Sequence, residues 1–113
     1  MVICIESFLR QQPTPLKVEA IEPSVVYGIP YHPLEELSKE YYEIGLLYRK
    51  MLEASLILSQ RKADSIRFES ARERYERLLK NNPEIIRRAP LSQIASLLEM
   101  TPETLSRVRA GTL

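Results

Sequence analysis

Apolar residues in the later two thirds of the chain recur at the three- and four-residue steps of α-helices, whereas residues 17–29 alternate or cluster β-favouring side chains. Pro13, Pro15, Pro23, Pro30 and Pro33 punctuate the first third. Between them, Lys17-Val18-Glu19-Ala20-Ile21-Glu22 and Ser24-Val25-Val26-Tyr27-Gly28-Ile29 predict two short strands. Two strands alone are marginal in water, so they need helices, or strands supplied from elsewhere, to cover their faces. Pro33, followed by Glu35 and Glu36, suits a first helical turn and predicts a helix over 33–43. A long helix is predicted over 44–68. In it, Ile44, Leu47, Met51, Ala54 and Leu58 fall at steps of three, four, three and four, a narrow seam able to pack on a partner helix. Leu52, Leu56 and Ile66 lie off that seam. Ser70 with Glu73 three positions on predicts a capped helix with Tyr75, Leu78 and Leu79 as its buried stripe, ended by Asn81-Asn82-Pro83. A helical turn over 84–88 and a break at Ala89-Pro90 precede the last segment. The expected class is therefore mainly α with a small β element.

Within residues 91–108, Ile94, Ala95 and Leu98 form one helical stripe and Leu105 and Val108 the inward stripe of the next helix. Thr101 suits the N-cap of that second helix, Pro102 its first position and Glu103 the positive end of its dipole. A small residue, a short turn and two later apolar residues are the arrangement with which a helix-turn-helix braces one helix as it enters the DNA major groove. With Leu105 and Val108 inward, the 100° step per residue turns Glu103, Ser106, Arg107 and Ala110 outward. Glu103, Ser106 and Arg107 are the expected base readers: the Arg107 guanidinium matches guanine O6 and N7, and Glu103 can accept from cytosine N4 or orient Arg107. Thr104, Arg109, Arg87 and Arg88 are expected to touch phosphates. Glu99 occupies a turn position that favours glycine, because φ there tends to be positive, at a cost of about 1 kcal/mol to a side chain.

Charge sharpens this division. Residues 1–60 carry five Lys/Arg against eight Asp/Glu, residues 61–113 eleven against seven, so a formal total of +1 combines −3 with +4. The basic half has the sign of a phosphate-facing surface. One cysteine (Cys4) and one histidine (His32) in 113 residues exclude a disulfide framework and a multi-ligand zinc site within the chain. No cofactor and no catalysis are expected, since His32 lies in a Pro-rich turn and Cys4 has no second histidine to activate it. Apolar runs are short, and no basic leader precedes Glu6, so neither a membrane span nor a signal peptide is expected and a cytoplasmic setting fits.

Three runs together resemble one family: Ala71-Arg72-Glu73-Arg74-Tyr75-Glu76-Arg77-Leu78-Leu79-Lys80-Asn81-Asn82-Pro83, Arg88-Ala89-Pro90-Leu91-Ser92-Gln93-Ile94-Ala95-Ser96-Leu97-Leu98, and Thr101-Pro102-Glu103-Thr104-Leu105-Ser106-Arg107-Val108. They are similar to the DNA-binding domain of Crp/Fnr-type bacterial transcription regulators, in particular the branch that stops soon after the recognition helix. The resemblance implies a homodimer paired through the long helix and a palindromic double-stranded DNA site. It also implies three parts: a partial cyclic-nucleotide-binding-like β-barrel lobe over 1–43, a dimerisation helix over 44–68 and a helix-turn-helix domain over 69–113. Residues 6–20 resemble the family's phosphate-binding cassette. Thr14 stands where that cassette pairs the phosphate with arginine and Pro15 where it has a small residue, which implies a lobe blind to cyclic nucleotide and leaves any other small-molecule effector open. The first half of that barrel has no counterpart, so the chain is expected to match the later part of a longer regulator. The competing expectation is a helical interaction protein that uses residues 44–68 to pair with, or modulate, a full-length relative.

Overall fold

The computed structural model describes residues 1–113, of which 67% lie in seven helices, with no strand. The chain is mainly α, and its contacts divide it into two compact units, Met1–Gln60 and Arg61–Leu113.

The first unit holds α1 (Ile5–Arg10), α2 (Tyr31–Glu40) and the first part of α3 (Tyr42–Phe68). The expected strands over 17–22 and 24–29 do not form. Those residues are irregular and exposed, and the Ser24 hydroxyl donates to the Glu22 carbonyl two residues back. The β preference of Val18, Val25 and Val26 is a preference for a pleated, half-covered surface, and here no third strand or sheet face exists to supply one. Helix α1, which the pattern did not predict, sets Glu6 and Arg10 one turn apart on its exposed side. It ends at Gln11, whose φ of 52° turns the chain out of the helix.

Helix α2 begins at Tyr31 and stops at Glu40, three residues before the expected boundary. Tyr41 is extended, its N–H bonded to the Leu37 carbonyl at 2.8 Å, and α3 starts immediately after it. Gly45 allows this tight join, because a Cβ there would lie 3.2 Å from the Ser38 carbonyl oxygen. Phe8, Tyr31, Leu34, Tyr48, Met51 and Leu52 are half-buried, and the Phe8 and Tyr31 rings meet edge-on at 5.3 Å. Most of them also line a cavity of about 360 Å³. The Tyr48 hydroxyl is buried without a hydrogen-bond partner. Its pKa is raised, first by burial and then by the Glu35 carboxylate, which lies near without meeting hydrogen-bond geometry.

The seam expected along α3 divides. Ile44 and Met51 are half-buried, whereas Leu47, Ala54 and Leu58 are exposed, the two leucines by 57% and 61%. The three exposed residues lie within roughly 40° of one another about the helix axis. An uncovered apolar line therefore runs beside the face that α3 buries in its own unit.

The second unit adds α4 (Ala71–Asn81), α5 (Pro83–Arg88), α6 (Leu91–Leu97) and α7 (Pro102–Ala110) to the end of α3. The capping box forms as expected: the Glu73 N–H donates to Ser70 Oγ at 3.1 Å and the Ser70 N–H to Glu73 Oε2 at 2.7 Å. Helix α4 packs on α5 and α7, and α6 packs on α7. Ile94, Ala95, Leu98, Leu105 and Val108 are buried, and Tyr75, Leu78, Ala89 and Met100 pack around this cluster. Leu79, expected in the buried stripe of α4, is 45% exposed, since the inward side of that helix is taken by Arg74, Tyr75 and Leu78. Leu105→Ala is therefore expected to destabilise the chain by about 2–5 kcal/mol in urea unfolding, and Leu79→Ala by under about 1 kcal/mol. Equal losses would contradict this assignment of the core.

Candidate functional site

The site is the pair α6 and α7 with the turn between them. Helix α6 ends at Leu98, and Glu99 follows with φ of 54°. The Met100 N–H then donates to the Ala95 carbonyl at 3.0 Å and the Glu99 N–H to the Ser96 carbonyl at 3.2 Å, the double closure of a helix end through a left-handed residue. The positive φ expected at Glu99 is thus present without glycine. Thr101 caps α7, its Oγ1 accepting from the Thr104 N–H at 3.1 Å, and Pro102 occupies the first turn. At the far end Gly111, with φ of 76°, and Thr112 close α7 in the same manner, the Thr112 N–H reaching the Arg107 carbonyl at 3.0 Å.

With Leu105 and Val108 buried, α7 presents Glu103, Ser106, Arg107 and Ala110 to the outside, all exposed. The Arg107 and Arg109 guanidinium groups make none of the chain's ion pairs. Thr104 is half-buried, and its Oγ1 accepts from the Thr101 hydroxyl at 2.9 Å, so its side chain completes the helix start. Arg87 and Arg88 lie in the last turn of α5, both exposed, with Arg87 paired to Glu84 one turn back. That pair is largely exposed, so a phosphate can take the place of Glu84 at small cost. One face thus gathers Glu103, Ser106 and Arg107, while Arg87 and Arg88 belong to a separate helix.

Three residues that the motif reading gave no role in the site hold this geometry. Arg74, on the inward side of α4, donates from Nε to the Leu98 carbonyl at 2.9 Å and from Nη1 to the Glu69 carbonyl, also at 2.9 Å. Lys62 Nζ, on the last turns of α3, lies 2.7 Å from Glu99 Oε1. Arg77 Nη2 donates to Ser65 Oγ at 2.6 Å and to Glu69 Oε2 at 2.8 Å, and the Ser65 hydroxyl donates to the same carboxylate oxygen at 2.6 Å. The signal for Arg74 was its place on the inward stripe with Ala71, Tyr75 and Leu78, where a charged residue requires a partner.

The Ser65 hydrogen bond, followed by the Arg77 and Arg74 charges, holds the Glu69 pKa below its usual value of 4.5. A depressed folded-state pKa contributes stability above the unfolded value and loses it as pH falls through the folded one. Wild-type protein is therefore expected to lose thermal stability between neutral and strongly acid pH more steeply than Glu69→Gln. Parallel melting curves across that range would contradict the role of this carboxylate.

No group of three His, Cys, Asp or Glu side chains is placed to hold a metal ion, and no helix is long and apolar enough to cross a membrane. No protein-family model matches the chain, and no curated protein and no solved structure matches it.

Proposed function

We propose that the chain is a sequence-specific DNA-binding transcription regulator that acts as a homodimer in the cytoplasm, built like the carboxyl-terminal part of a Crp/Fnr-type regulator. The observation that carries the reading is the outward face of α7. Glu103, Ser106 and Arg107 stand exposed on a short helix whose opposite side is locked into the core by Leu105 and Val108. A free guanidinium on a braced helix is the group that reads guanine in the major groove. Glu103, one turn before Arg107, accepts from cytosine or aligns that guanidinium. Arg109, Thr104, Arg87 and Arg88 supply phosphate contacts that set register. The exposed line Leu47, Ala54 and Leu58, with Ile44 and Met51 at its edge, pairs α3 with its copy, so that two α7 helices meet two half-sites of a palindrome. The amino-terminal unit, with Thr14 and Pro15 in its cassette-like segment, binds no cyclic nucleotide.

The uncovered α3 line also favours a second reading, a helical interaction protein that pairs with a full-length relative through the same residues. DNA selection separates the two. Purified chain is expected to enrich a palindromic sequence, and Arg107→Ala to lose about 1–3 kcal/mol of discrimination at one position of each half-site. Arg109→Ala should weaken binding evenly across sequences and lower the salt slope by about one. Salt-sensitive binding with no sequence preference, indifferent to Arg107, would leave the interaction reading standing.

Self-association has its own test. Leu58→Glu is expected to convert a dimer to monomer in sedimentation equilibrium, while Ser59→Glu, one residue round the helix, leaves the dimer intact. A monomer at all concentrations for wild type would remove the homodimer from the reading.

A further inference from the structure

Glu99 sits where the backbone would choose glycine. Its φ of 54° is a conformation in which a side chain is strained, and the chain's other non-glycine residue at positive φ is Gln11, far away in sequence. Glycine does stand at the equivalent place after α7, where Gly111 closes the helix by the same pair of hydrogen bonds. At the left-handed position the two ends differ in the residue itself: the one after α6 carries a carboxylate, and that carboxylate is 2.7 Å from the ammonium of Lys62 on α3. Strain kept at one residue points to something its side chain does.

We propose that Glu99 is a positioning residue, its ion pair with Lys62 tying the turn before α7 to the end of α3 and thereby setting how far apart a dimer holds its two α7 helices. This rests on the DNA-reading dimer proposed above. The core of the second unit fixes the packing of α7 on α4 and α6, and Arg74 holds the end of α6 through the Leu98 carbonyl. The Lys62–Glu99 ion pair joins α3 directly to the turn that launches α7. Its side chains are about half exposed, so its strength is modest and falls with salt. Such a contact suits fine adjustment of helix placement and contributes little to holding the fold together.

The prediction separates positioning from stability, because removing the side chain relieves backbone strain and breaks the tie at once. Glu99→Gly is expected to melt no lower than wild type and to bind a single half-site within two-fold of wild type. It should lose about two- to ten-fold of the preference for the selected half-site spacing over spacings one base pair longer or shorter, the range expected for one or two exposed ion pairs. Lys62→Glu and Glu99→Lys, each alone, should lower the melting temperature and relax spacing. The double reversal, at unchanged net charge, should restore both. A Glu99→Gly chain that melts lower and loses half-site affinity makes Glu99 a purely structural turn residue and overturns the proposal. An unaltered spacing preference in a chain that does select a palindrome overturns the proposal and leaves the DNA reading standing. If wild type selects no palindrome, the DNA reading fails and the spacing role fails with it. The melting temperatures of the single and double reversals then decide whether the tie itself exists, and a double that fails to recover removes the tie as well.

Discussion

The Arg74 guanidinium bridges two of the places where the second unit's backbone leaves helical geometry. Glu69 follows the end of α3, and Leu98 ends α6 just before the left-handed residue; each has a carbonyl that no helix in its own line can satisfy. A planar group with donors at fixed angles reaches both at 2.9 Å, which a lysine, with a single ammonium, does not reproduce in this geometry. The apolar core beside it is small, five buried side chains across α6, the following turn and α7. In a core of that size the register of two short helices depends strongly on polar closure, because there is little packed surface to enforce it. The outward face of α7 is thus set from behind by Leu105 and Val108 and from the side by a charge belonging to α4.

The basic surplus of this unit gains meaning once its charges are followed individually. Lys62 is turned to Glu99, Arg72 to Glu76, Arg77 to Glu69, Arg87 to Glu84, and Arg74 to two carbonyls. Arg107 and Arg109, two positions apart in the last turn of α7 and so on different sides of it, make no ion pair, and neither do Arg61, Arg67 and Lys80. Net charge counts all of these alike, whereas a polyanion responds most to cations whose fields are not already cancelled nearby. Two of these five unpaired cations stand on α7, whose apolar stripe faces the core, and the others on α3 and α4. Under the proposed reading it is the α7 pair, rather than the surplus of four, that would meet a phosphate-bearing partner.

Much of the second unit could be read directly from residue order because its signals are local. Ser70 with Glu73, Thr101 before Pro102, and the inward pair Leu105 and Val108 each act over one or two turns, and each is found as expected. The positive φ expected from the place of Glu99 in the helix-turn-helix pattern is present as well. What escaped depends on contacts remote in sequence. Arg74 finds its acceptor 24 residues away, and Lys62 pairs with a residue 37 positions on, distances over which periodicity carries no information. Leu79 is apolar and in helical register with the core, yet the inward arc of α4 is already filled. The break between α2 and α3 was expected after residue 43 and falls at Tyr41, because no proline or polar turn residue marks its place and the close approach of Ser38 to Gly45 sets it.

The first unit obeys the opposite logic. It has no fully buried apolar side chain, while Val25, Val26 and Tyr27 are each 85% exposed or more and Leu56 on α3 is 71% exposed. Burial of apolar area is the main source of folding stability, and a unit that leaves its β-branched residues in water gains little of it. Propensity cannot make up the difference, since strands without partners leave their backbone groups to solvent and nothing offsets the entropy of extending them. What orders this unit is helix α3, whose own hydrogen bonds need no neighbour and whose inner face gathers Phe8, Leu34 and Tyr31 around Tyr48. An isolated helix of this kind is stabilised chiefly by covering its apolar surface. A second copy laid along Leu47, Ala54 and Leu58 would supply that cover, so under the proposed reading pairing is a condition for the amino-terminal unit to be stable as well as the means of presenting two reading helices.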